Sequence, residues 1–310
     1  MTRLGLTLLM LFFATLPSFG QQEQSAAPAA APTAASLPDL APDASGRLSQ
    51  EQMQQLFRAV ADKDMENDKR LRNYTYIERD EDHKLDAQGN VKSTEVNSYE
   101  VLEIYGEQVR RQIEKDGKPL SEKEAAKEEE KIQKLIDKHK NESADEVRKR
   151  EEKESKEHEE GRKFVHEVSD AYDFKLVGTE LVGEREAWVI DGEPRPGFVP
   201  QVKGAKYLPK FHGRVWIDKS DLQLAKMDIE AIDTVSFGLF LARVHKGSRI
   251  LFEQTRVNDE VWLPQHVVVK FDVRLALLKE IRESQEQTFR DYKKFHASAK
   301  IVGYGEVPEK

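Results

Sequence analysis

Leu222-Gln223-Leu224-Ala225-Lys226-Met227-Asp228-Ile229-Glu230-Ala231 decides the fold class. Ala225, Met227, Ile229 and Ala231 fall on one face, and Lys226, Asp228 and Glu230 on the other. A period of two belongs to an extended chain with one face dry and one wet. Lys210 to Asp218 precedes it across the turn Lys219-Ser220-Asp221, which predicts a hairpin. The same texture returns downstream. Arg249 to Val257, the turn Asn258-Asp259 and a strand from Val261 to about Leu277 form a second hairpin. In that last strand Val267, Val269, Phe271, Val273, Leu275 and Leu277 alternate with Lys270, Asp272 and Arg274.

Working outward, strands are predicted from Tyr74, over Val91 to Tyr105, over Gln108 to Lys115, from Phe174, over Arg185 to Glu193 and over Ser284 to Phe295. Glycine-bearing turns such as Asp86-Ala87-Gln88-Gly89-Asn90 separate the early ones. The fold class expected is α+β: a half-barrel of about ten long antiparallel strands, which twist and curl when so extended. Ser49-Gln50-Glu51-Gln52 fits a capping box, and Met53, Leu56, Phe57 and Val60 follow at helical spacing. This predicts an N-terminal helix from about Gln50 to Leu71 packed on the sheet, with order beginning at Ser49.

Ser121 to Glu160 differs in kind, with 11 basic and 15 acidic residues. Capping boxes at Ser121-Glu124 and Ser143-Glu146 predict helices over 122–140 and 144–160. Pairs such as Glu130/Lys134 and Glu146/Arg150 have the favourable i,i+4 order. Only Ile132, Leu135 and Ile136 make an apolar patch. The expectation is a solvated charged helical arm, 121–168, inserted between strands, with docking of a protein partner as its functional reading.

The chain has 310 residues, a formal charge of −8 and no cysteine. The acidic balance argues against nucleic acid as a partner. Thr2-Arg3, the apolar run Leu4 to Leu16, Pro17 and the small residues before Gln21 have the layout of a secretory signal peptide cut near Gly20. The run is short for a membrane span, so a periplasmic or secreted protein that does not span the membrane is expected. Without cysteine, its core holds by packing alone. Residues 21–47, rich in Ala and Pro, read as a disordered tether. The half-barrel domain is placed at 48–297 and a flexible tail at 298–310.

The predicted strands carry a large apolar face. Two outcomes are open: helices and loops fill its concave side, or part stays unfilled as a cavity for apolar chains. Val235 to Val244 bears on this choice, since Phe237-Gly238-Leu239-Phe240-Leu241 is apolar on both sides. It reads as a buried helical turn or as a lid at a cavity mouth. The candidate ligand-binding residues are Trp188, Trp216, Met227, Ile229, Phe237, Leu239, Phe240, Val269, Phe271 and Val273.

Gly213-Arg214-Val215-Trp216-Ile217-Asp218, the turn, and Leu222 to Glu230 resemble the hairpin of the outer-membrane lipoprotein-sorting superfamily of LolA/LolB-like carriers. Glu186-Ala187-Trp188-Val189-Ile190 and the leading helix fit it too. The likeness covers about residues 48 to 296. It implies a half-barrel closed by helices that holds acyl chains, and a lipid or lipidated protein as partner. The 121–160 arm departs from the carrier pattern.

No catalytic signature is present: no G-x-S-x-G, no H-E-x-x-H, no Walker loop, no G-x-G-x-x-G. No enzyme activity, cofactor or metal is expected. The eight histidines show no metal spacing, and most read as surface residues. Asp80-Glu81-Asp82 with Asp86 is only loosely like a calcium loop, with its glycine and last glutamate misplaced. The expected function is a periplasmic carrier or binding protein for an apolar ligand. An envelope sensor acting through the arm is the alternative.

Overall fold

The computed structural model describes residues 40–105, 107–237, 242–275 and 279–295. The signal-peptide stretch, most of the tether, Leu239, Phe240 and the tail lie outside these residues. Helix α1 spans Gln50–Leu71, opened by the Ser49–Gln52 capping box. Strands β1 (Tyr74–Leu85), β2 (Val91–Ile104), β3 (Glu107–Lys115) and the short β4 (Lys118–Pro119) form a meander. Helices α2 (Glu122–Lys140) and α3 (Ala144–Ala171) follow, each with the predicted serine-led box. The rest is β5 (Tyr172–Val182), β6 (Arg185–Pro194), a 3-10 helix (Ala205–Lys210), β7 (Phe211–Asp218), β8 (Leu224–Ala231), β9 (Val235–Phe237), β10 (Ala242–Val244), β11 (Arg249–Val257), β12 (Val261–Leu275) and β13 (Lys279–Lys294).

Eleven strands form one open, curved antiparallel sheet in the order β4-β3-β2-β1-β13-β12-β11-β8-β7-β6-β5. The predicted hairpins all form. The first long strand lies beside the last, with Ile77 opposite Arg290 and Lys84 opposite Glu283. The β9–β10 hairpin joins the far end of β12, with Val244 opposite Val273.

One face, here called inner, carries the main core. Met53, Leu56, Phe57 and Val60 of α1 and Phe164, Val168 and Ala171 of α3 pack there on Phe174, Trp188, Ile190, Val215 and Ile217. Burying such side chains stabilises the fold by about 1.5–3 kcal/mol each. A second inner cluster joins Val235, Val244 and Phe237 of the hairpin to Phe211, Ile250, Val267, Val269, Phe271 and Val273. Tyr207 closes on Phe237 with ring centroids 4.7 Å apart. The outer face is wet and carries cross-strand ion pairs: Arg214 with Asp191, Lys226 with Glu253, Arg282 with Asp272.

Three expectations are corrected. Order begins before Ser49: Leu40 and Leu48 are core residues, and Arg47 bridges to Lys175. The arm's second helix does not stop at 160 but runs to Ala171, because Phe164 and Val168 give its last turns a core to join. Its first helix lies on the outer face, where Ile132, Leu135 and Ile136 cover Leu102, Ile104 and Val109. In Val235 to Val244 the ends, Val235–Phe237 and Ala242–Val244, pair as strands, and the residues between them lie outside the described residues. Among the histidines, His139 is buried: it is 5% exposed, stacks on Tyr105 and lies 3.1 Å from Glu142.

Candidate functional site

Registers across the sheet line up single rows of inner-face residues. One row runs Leu176, Ile190, Val215, Met227, Phe252, Val267, Gln287, Asp80, Asn97. The next, two residues along each strand, runs Phe174, Gly192, Gly213, Ile229, Ile250, Val269, Gln285, Asp82, Glu95. Both rows are apolar or glycine from β5 to β12, and both turn polar at β13. Glycine at 213 allows close packing: a Cβ would stand 3.1 Å from Ile229 Cγ1 and 3.2 Å from the Asp228 carbonyl, tighter than most real Cβ contacts.

The polar side is buried and acidic. Glu78 and Asp80 are 6% and 4% exposed, and Gln285 and Gln287 are 4% exposed. Gln287 Nε2 donates to Glu78 Oε1 at 2.8 Å and to Asp80 Oδ1 at 3.0 Å. Arg110 Nη2 reaches Glu78 Oε1 at 2.9 Å and Asp80 Oδ2 at 2.5 Å, and its guanidinium lies 3.9 Å over the Tyr99 ring. One cation thus serves two carboxylates. Burial pushes Glu78 up to about 8, against the pull of Arg110 and with Asp80 adding. Burial also raises Asp82 to about 6, helped by Asp80, Glu283 and Glu95 and opposed by Lys84.

Helix α1 repeats this division. Its inward stripe passes from Met53, Leu56 and Val60 to Asp64 and Asp68 at i,i+4 spacing. Burial raises Asp64, and it raises Asp68 to about 7, with Asp64 adding and Arg72 opposing.

The sequence-predicted residues divide accordingly. Met227, Ile229, Val269, Phe271 and Val273 lie on the inner face, Trp188 under α1 and α3, and Phe237 in the second cluster. Trp216 lies on the outer face with Ala187 and Val189, its indole donating to Glu180 at 2.8 Å. Glu78, Asp80, Gln285, Gln287 and Arg110 were not foreseen as a group. Their signal was present: Tyr74, Tyr76, Glu78, Asp80 and Asp82 keep one parity, whereas Glu81 points the other way. That split breaks the calcium-loop reading. Among the described residues no group of three or more His, Asp or Glu is set to hold a metal.

A separate polar cavity of about 170 Å³ lies where the last turns of α1 meet the β7–β8 and β11–β12 turns. Lys63, Asn67, Arg70, Asp221, Arg256 and Trp262 line it. It is not an apolar hollow.

Solved structures similar to the chain include the following three. One is a candidate outer membrane lipoprotein-sorting protein domain from Vibrio parahaemolyticus, 12% identical, with a TM-score of 0.31, covering 77% of this chain and 93% of that one. A LolA superfamily protein from Nitrosomonas europaea is 9% identical with a TM-score of 0.27, covering 79% and 94%. A DUF1329 family protein from Desulfovibrio piger is 10% identical with a TM-score of 0.26, covering 78% and 92%. No protein-family model and no curated protein matches the sequence. The functional reading therefore rests on the inner face itself.

Proposed function

We propose that the protein is an exported binding or carrier protein whose inner face holds an apolar chain, such as a lipid or the acyl chains of a lipidated protein. One observation carries this reading: two adjacent rows of the inner face are apolar or glycine from β5 to β12 and polar from β13 onward, the surface an amphiphile requires. Helices cover the β5–β7 end, but Ile229, Ile250, Phe252 and Val267 are only half-buried. Those four lie in these two rows, within three strands of β13, so a tail along them would bring its head to β13 and β1. No helix of the described residues is long and apolar enough to cross a membrane. In this reading residues 1–20 are removed near Gly20, and the remaining chain acts in the periplasm or outside the cell. The role is binding rather than catalysis.

The test is a purification of the mature chain under native conditions, followed by extraction and mass spectrometry for lipid. A bound amphiphile at a fixed ratio, lost when Phe252 and Val267 are both replaced by Asp in a variant that keeps its strand spectrum, supports the reading. A lipid-free protein that also takes up no fluorescent fatty acid or alkyl alcohol overturns it.

A further inference from the structure

Beside the Glu78–Asp80–Arg110 group, the carboxylates of Asp82, Glu283 and Glu95 share one cation, Lys84. Gln285 is 4% exposed, and its Oε1 has no hydrogen-bond partner. A buried amide oxygen left this way costs about 1–3 kcal/mol. Gln285 stands between Val269 on β12 and Asp82 on β1, at the point where the second row turns polar. Asp82 is half-buried, and Lys84 acts on its carboxylate through its field. Glu283, two residues from Gln285 on the same strand, shares this face and faces Lys84.

The nearby bases are committed or remote. Lys84 is 2.5 Å from Glu95, and Arg110 is held by Glu78 and Asp80. Lys279 acts on Glu283 only through its field. Burial raises both Asp82 and Glu283 because no cation offsets it fully. A carboxylate or phosphate placed here would meet the Asp82, Glu283 and Glu95 carboxylates, which share the single Lys84. An ammonium brings three donors and a positive charge.

We infer that the inner face selects amphiphiles with a cationic, hydrogen-donating head: an alkylammonium group set against Gln285 Oε1 and the Asp82 and Glu283 carboxylates, its tail running along the row toward the half-buried Ile250 and Ile229. This rests on the carrier reading above and names its ligand class. Crossing from β13 to β8 spans about 14 Å at about 4.8 Å per strand, so a medium alkyl tail fits along the row.

Calorimetric titration of the full mature chain with dodecylamine, dodecanol and dodecanoate, each below its micelle concentration, tests it. The amine should bind at least tenfold more tightly than the alcohol at pH 8, and dodecanoate more weakly than both. The amine-to-alcohol ratio should grow between pH 5 and pH 8 as Asp82 loses its proton, with Asp80, Glu95, Glu283, Lys84 and Arg110 as its charged neighbours. Asp82→Asn and, separately, Gln285→Leu should bring the ratio close to one while alcohol affinity is kept, which also reports folding. Equal binding of amine and alcohol by the native chain, or preference for dodecanoate, overturns the head-group inference and leaves the carrier reading standing. If none of the three binds, the carrier reading falls and the inference with it.

Discussion

Glu78 shows how a single side chain can set a pH response. Its ordinary value is 4.5 and burial lifts it to about 8 in the folded chain. In the unfolded chain the group ionises near its ordinary value. Between pH 4.5 and 8 the folded state therefore holds the proton more tightly, and folding stability falls as pH rises through that window. Above about 8 the loss is complete and no further slope comes from this group. Asp82, raised to about 6, acts in the same direction over a lower range. Glu78→Gln should therefore flatten the decline in urea midpoint between pH 5 and 8.5 and raise the midpoint at the upper end. An unchanged slope would mean that this carboxyl is ionised in the fold at neutral pH. At this scale the apolar half of the site could be read from the sequence, since Met227, Ile229, Val269 and Phe271 advertise their face by alternation. The acidic half was hidden. Asp80-Glu81-Asp82 looks like one charged cluster until strand parity sends Glu81 to the other side.

Elements were the most legible level, because their signals are local. Three serine-led capping boxes start three helices where the spacing placed them. What the sequence left open was how far an element continues once another supports it. The charged helix α3 is almost devoid of apolar residues for its first turns, yet Phe164 and Val168 extend it into the core. Helix α2 is held to the outer face by a small patch, of which Ile132 is 3% exposed. Ile132→Lys buries a charge without a partner and removes that contact, at a cost of about 2–5 kcal/mol to the docking of α2. Hydrogen exchange should then quicken across 122–140 while β7, β8 and β12 keep their protection. Equal quickening in those strands would show that the arm and the sheet unfold as one unit.

At the scale of the whole molecule the hairpins were legible and their order in the sheet was not. Local turns declare β7–β8 and β11–β12, but nothing near β1 announces that its second neighbour is β13. That pairing is a long-range choice of faces, made because Gln287 satisfies Glu78 and Asp80 and because Tyr76 packs its ring edge-on to Phe289, with centroids 5.9 Å apart. The seam between β1 and β13 joins the two halves of the sheet, and it has a consequence in time. The meander at the start of the chain and the strands made later remain separate until the final strand is available to bridge them. Such closure across more than two hundred residues is slow, and it leaves unpaired edges exposed while it waits. A chain ending at Leu275 should consequently show no cooperative denaturant transition, whereas the intact chain shows one. For this protein, maturation is governed by the arrival of its C-terminal strand, and any factor that shields nascent β-edges will matter most just before that moment.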